Sequence, residues 1–201
     1  AINRTIRVAV VAKEALLPLS SVLAGDDYGA VEEAANAISV LASHWQDVKL
    51  RTRCKLAGTI YPLVRGLSIP HPGAQAACCY ALGRVAAESD VRAVMTQERG
   101  VEHVGRVLRC MTSTEVQARA AVCVTEAVVT ATGAKHLVEQ DVPYSLSLML
   151  SSGVPELVCA AAVAVGSLGS RRDEYQATFW RELRAGVVLH GSLNWITDYV
   201  V

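Results

Sequence analysis

The 201-residue chain carries 19 basic and 19 acidic residues, so its formal net charge is zero, and 52% of it is hydrophobic with a single Phe. A balanced charge leaves no global field to draw in nucleic acid or anionic lipid. A chain so rich in Ala and so poor in large aromatics suits many closely packed helices better than one aromatic core, and its length holds one or two ordinary domains or about five short repeats.

In chain order, a first unit spans residues 3–45. Residues 5–13 read as a short helix. ALLPLSSVL, 15–23, reads as a second, with Leu16, Leu19, Val22 and Leu23 apolar and Pro18 tolerated in the first turn. Gly25, Asp26 and Asp27 break it with turn chemistry, and AVEEAANAISVLA, 30–42, follows as a long third helix.

The second unit, 46–89, repeats the plan. Residues 48–56 are helical, Gly58 punctuates, and 60–67 carries the next apolar face with Pro62 near its start. Pro70, His71, Pro72 and Gly73 form a loop, because two prolines so close do not fit inside a helix. AQAACCYALGRVA, 74–86, closes the unit. Ala77, Ala81 and Val85 recur every fourth residue beside Cys78 and Leu82, which predicts a buried face of small side chains.

In the third unit, 90–132, Ser89 or Asp90 caps a helix over 91–97, and Gly100 breaks it. Residues 101–111 form the second helix. Thr112 and Glu115 have capping-box spacing ahead of a third helix over 116–131. The fourth unit, 133–173, holds a short helix over 134–139, a break from Asp141 to Pro143, a helix over 144–150 and LVCAAAVAVGSLG, 157–169, with Pro155 in its first turn. A partial fifth unit, 174–201, has a break at Gly186 and an apolar tail with Trp195, Ile196, Tyr199, Val200 and Val201.

Two landmarks keep step. Ala37, Ala81, Cys123 and Ala164 on the third helices are 44, 42 and 41 residues apart, and Leu23, Leu67, Leu108, Leu150 and Leu193 near the ends of the second helices are 44, 41, 42 and 43 apart. A helical unit recurring at roughly 40–47 residues is the mark of a HEAT or armadillo array.

On these residues the chain resembles the armadillo repeat family. ALLPLSSVLAGDDYGAVEEAANAISVLA matches the family's apolar second helix, polar turn and Ala-rich third helix, as does GVEHVGRVL followed by VQARAAVCV. The resemblance covers about residues 3–169 and implies an all-α, right-handed superhelix of about four and a half three-helix repeats. It also implies a concave groove, lined by third helices, that binds extended peptides or partner proteins.

Importin-alpha-type members of that family grip basic peptides with Trp and Asn on the third helix. The matching positions here are Asn36, Tyr80, Val122 and Val163 for the Trp, and Val40, Arg84, Glu126 and Ser167 for the Asn. Neither array is present, which argues against nuclear-import cargo. The eight residues nonetheless form the expected binding face, and Tyr80 and Arg84, one turn apart, are of types enriched in binding hot spots.

Catalytic and cofactor chemistry finds no motif. There is no HExxH, no zinc spacing, no phosphate-binding GxxxxGK[ST] or GxGxxG, and no GxSxG; no cofactor or metal is expected. His44, His71, His103, His136 and His190 occupy different places in their units, and the adjacent Cys78 and Cys79 point about 100° apart on a helix. Cys54, Cys78, Cys79, Cys110, Cys123 and Cys159 show no CxxC and read as small buried thiols, which points to a reducing compartment and an intracellular, cytoplasmic location. The family resemblance adds a cytoskeletal or ciliary setting, since plain members of that family serve as scaffolds in ciliary axonemes.

Arg99, Arg106, Arg109 and Arg119 are interleaved with Glu98, Glu102 and Glu115, and Arg171, Arg172, Arg181 and Arg184 with Asp173, Glu174 and Glu182, a pattern of helix-surface ion pairs rather than a nucleic-acid patch. The run 8–12 is too short for a signal peptide and 158–165 too short for a membrane span. The chain opens on Ala1 with a helical pattern almost at once, as a processed chain or a piece of a longer one does. The expectation is a non-catalytic scaffold holding a protein partner, within a larger complex. The alternative is a structural subunit embedded in a large assembly such as a ciliary axoneme complex, favoured by the apolar tail and by ends without a polar cap.

Overall fold

A computed structural model describes residues 15–42, 58–86, 89–110, 113–127, 131–170 and 175–189. The expected helices over 5–13 and 48–56, and the apolar tail, lie outside them. Among the described residues there are eleven helices and no strand: α1 (Leu16–Leu23), α2 (Tyr28–Ala42), α3 (Ile60–Gly66), α4 (Pro72–Val85), α5 (Ser89–Gln97), α6 (Gly100–Arg109), α7 (Thr114–Ala127), α8 (Ala131–Glu139), α9 (Val142–Leu150), α10 (Pro155–Gly169) and α11 (Gln176–Leu189).

The third helices of successive units pack in series, α2 on α4, α4 on α7 and α7 on α10. Each lies over the second helix of its own unit: α1 under α2, α3 under α4, α6 under α7 and α9 under α10. The first helices α5 and α8 pack against the second helix before them and the one after. Among the described residues these packings join helices of the same unit or of adjacent units, the quasi-one-dimensional plan of a solenoid. The landmark leucines Leu23, Leu67, Leu108 and Leu150 are all buried, as are Ala81, Cys123 and Ala164, while Ala37 is half-buried.

Proline chemistry sets several starts. Pro72 and Pro155 each open a helix at a position where the missing N–H costs nothing. Pro143 likewise enters the first turn of α9, so the expected break over 141–143 shrinks to a single turn. At α2 the cap is Asp27, whose Oδ1 accepts from Gly29 N at 3.0 Å and Ala30 N at 3.1 Å.

The approach to the second helix has a repeating device. Gly58, Arg99 and Asp141 all have a left-handed backbone, with φ of 68°, 58° and 55°. Each lies nine residues before a landmark leucine. The break expected at Gly100 thus falls on Arg99, and Gly100 instead begins α6. Two units accept a non-glycine residue in αL, at a cost of about 1 kcal/mol each.

The other departures have local causes. The helix expected over 116–131 is described as far as Ala127 in α7, residues 128–130 lie outside the described residues, and Ala131 is described within α8. Because α7 starts at Thr114, the residue before it is Ser113; Thr112 lies outside the described residues. No break occurs at Gly186, where α11 runs through unbroken. That glycine is buried against α9, and a Cβ there would lie 2.8 Å from Ser147 Cβ and 3.2 Å from Tyr144 Cδ2. Gly186 serves close approach rather than termination.

Candidate functional site

The site is built on α4. His71 caps it, with Nδ1 accepting from Ala74 N at 3.1 Å, and Pro72 follows as the first helical residue. Glu32 of α2 reaches over the start of α4, 3.6 Å from His71 Nδ1 and close against Gly73, where a carboxylate suits the positive end of the helix. Gln75 Nε2 donates to Leu67 O at 3.2 Å, and Gln117 repeats the clamp on Leu108 O at 3.2 Å. In both units the otherwise orphaned carbonyl at the end of the second helix is satisfied from the third, which fixes the angle between them.

So held, α4 is buried on almost every side. Ala74, Ala76, Ala77, Cys78, Cys79, Ala81, Leu82, Gly83 and Val85 are all interior. Tyr80 and Arg84, one turn apart, share the strip that remains open. Arg84 Nη2 donates to Tyr80 Oη at 2.9 Å, and its Cζ lies 5.0 Å from the Tyr80 ring centroid. From α7, Arg119 places its Cζ 4.5 Å from the same centroid while its Nη2 stands 3.9 Å from Glu115 Oε1. One ring therefore carries two guanidinium ions, each within the range of a cation–π attraction.

All eight residues expected on the binding face lie on the serially packed third helices, and none is buried. Asn36 and Tyr80 are half-buried. Val40, Val122 and Val163 are exposed to 37%, 38% and 60%, and Arg84, Glu126 and Ser167 are exposed. Tyr80 and Arg84 touch; the other six are spread over α2, α7 and α10. Arg119 is the member that the sequence pattern did not single out. It lies three residues before Val122, one turn back on the same face of the next third helix, and that register was the available signal.

The cysteines divide. Cys78, Cys79 and Cys123 are buried, whereas Cys110 and Cys159 are exposed, and Cys54 lies outside the described residues. Cys110 ends α6, and Cys159 sits on a side of α10 that no described helix covers. Burial pushes the Cys78 and Cys123 thiols up to about 12, and raises Cys79 well above the usual range, with Cys123 and Cys78 adding to it. Such thiols are poor nucleophiles and poor ligands.

His103 shares a 3.1 Å hydrogen bond with Ser68 Oγ, and burial first, then Arg106, lowers its pKa below the usual 6.5. His136 stands 3.3 Å from Glu139 and 3.9 Å from Glu102. His44 and His190 lie outside the described residues. Among the described residues no three His, Cys, Asp or Glu side chains converge as metal ligands do, and no helix is long and apolar enough to cross a membrane.

Arg99 pairs with Glu102 and Arg181 with Glu182 at 3.1 Å, as the interleaving suggests, whereas Arg109 pairs across units with Asp141 at 3.7 Å, which the interleaving did not indicate. These pairs hold the surface and turns, leaving the two guanidinium ions at Tyr80 as the cationic feature of the third-helix face.

No family model and no curated relative matches the sequence. Solved structures do. An engineered protein is similar with a TM-score of 0.82 at 20% identity, over 94% of this chain and 76% of its own. A designed armadillo repeat protein in complex with the peptide (KR)4 gives 0.78 at 19%, over 92% and 75%. An armadillo-repeats-only protein from Plasmodium falciparum gives 0.71 at 11%, over 94% and 89%. At these identities the likeness speaks for the fold, and the chain has an armadillo-type repeat fold.

Proposed function

We propose that this chain is a non-catalytic scaffold that holds a partner protein or peptide along the concave face of its third helices, as part of a larger complex in the cytoplasm and without a cofactor. The observation that carries the reading is the open strip on the serially packed helices α2, α4, α7 and α10, with Tyr80 and Arg84 at its middle. A half-buried aromatic beside arginines is the composition of a binding hot spot. The designed structural neighbour that carries a bound peptide adds support by analogy of fold.

The test is alanine at Tyr80 and Arg84 together. Binding to partner protein should weaken by about tenfold or more while far-ultraviolet circular dichroism stays unchanged. Unchanged affinity removes the face from the account.

A second reading, a structural subunit embedded in a large assembly, is favoured by a different observation. Leu17, Tyr61 and Tyr144 occupy one register on the second helices, six residues before Leu23, Leu67 and Leu150, and all three are exposed. The third unit has Glu102 there. A monomeric chain by light scattering counts against that reading.

A further inference from the structure

Resting on the reading above, we infer that the peptide this face takes is acidic, and that one of its carboxylates seats on Arg84 and Arg119 where they flank Tyr80. The positive charge at Tyr80 is largely unspent. Arg84 has five N–H donors and directs one of them to the Tyr80 hydroxyl. No ion pair joins it to a carboxylate among the described residues, although Glu126 holds the equivalent register on α7. Arg119 has Glu115 only at 3.9 Å, at the outer limit of a pair.

Two guanidinium ions within 5.0 Å of one ring centroid repel each other, and the ring's quadrupole offsets only part of that repulsion. A carboxylate between them relieves it and gains charge-assisted hydrogen bonds from both planar forks. A lysine or arginine of a basic peptide adds a third cation at the same place. The neighbouring open positions Val40, Val122 and Val163 are aliphatic, so the matching ligand alternates acidic with apolar side chains, as an extended strand presents them.

The test uses the full chain and two fluorescein-labelled peptides, (Glu-Leu)5 and (Lys-Leu)5, followed by fluorescence anisotropy at low and physiological salt. The acidic peptide should bind more tightly, and more weakly as salt rises. Arg84→Ala and Arg119→Ala should each cost about tenfold in affinity. Arg84→Lys, which keeps the charge but not the fork, should fall in between. Glu115→Gln should strengthen binding several-fold, because it frees Arg119; a purely structural role for that pair gives no gain. Preference for the basic peptide, no binding of the acidic one, or indifference to both arginines overturns the inference. Tyr80→Ala separates the two levels: weakening of both peptides alike leaves the face standing and the acidic preference refuted, while no change for either refutes both.

Discussion

Helices α4 and α10 carry nearly the same message in sequence and live in different surroundings. In α4 the small residues Ala76, Cys79 and Gly83 are buried beneath α7. At the same register in α10, Cys159, Ala162 and Gly166 are exposed, because no described helix lies on that side. The Gly83 backbone comes so near its neighbour that a Cβ would stand 3.2 Å from Cys123 Cα, whereas a Cβ on Gly166 meets nothing within 4 Å. In a repeat array, then, the pattern decides which face is offered to a neighbour, and the neighbour decides whether that face is core.

The sharpest way to break this comparison is thiol chemistry. At pH 8, Cys78, Cys79 and Cys123 should react with an alkylating agent about a thousandfold more slowly than Cys159, since burial holds them as thiols. Mass spectrometry of the native chain reads this directly; equal labelling of Cys79 and Cys159 contradicts the burial of α4.

Stability comes next. Leu82→Ala in α4 should cost about 3 kcal/mol in urea unfolding, because its side chain is wholly enclosed. Val165→Ala, at the same register in α10 and only partly buried, should cost about 1 kcal/mol. The glycine pair should differ in sign. Gly83→Ala pushes into the α7 backbone and should destabilise by about 1 kcal/mol net, while Gly166→Ala relieves a helix-weakening residue in open space and should stabilise by about 0.5–1 kcal/mol. Equal signs would remove the distinction between the two helices.

The smallest effect concerns α6. His103 has its pKa lowered in the fold, so the folded state prefers it neutral. Its contribution is present above the unfolded value of 6.5 and declines as pH falls below it. His103→Gln should therefore flatten the loss of stability between pH 7 and pH 5, measured as the urea midpoint; an unchanged slope rejects this role.

What the sequence made legible is what depends on the chain's own period. The Ala-rich helices, their order, the landmark leucines and the register of Tyr80 with Arg84 all follow from spacing. What it hid depends on a second helix. Gly186 reads as a break until α9 is found against it, and Cys159 reads as buried until its side of α10 is found uncovered. Arg119 reads as a surface ion pair with Glu115, which it makes loosely, and its ring contact with Tyr80 spans two units. The breaks beside Gly100 and over 141–143 were legible, but the left-handed backbone at Arg99 and Asp141 was not, because αL favours glycine and neither residue is one.

The third-helix face and the second-helix ridge can be set against each other in one experiment. A photo-crosslinking benzoylphenylalanine is placed once in place of Tyr80 and once in place of Tyr61, which is exposed to 63% on α3. The account predicts that bound partner protein is captured from the first position and not the second. Capture from position 61 alone would contradict it.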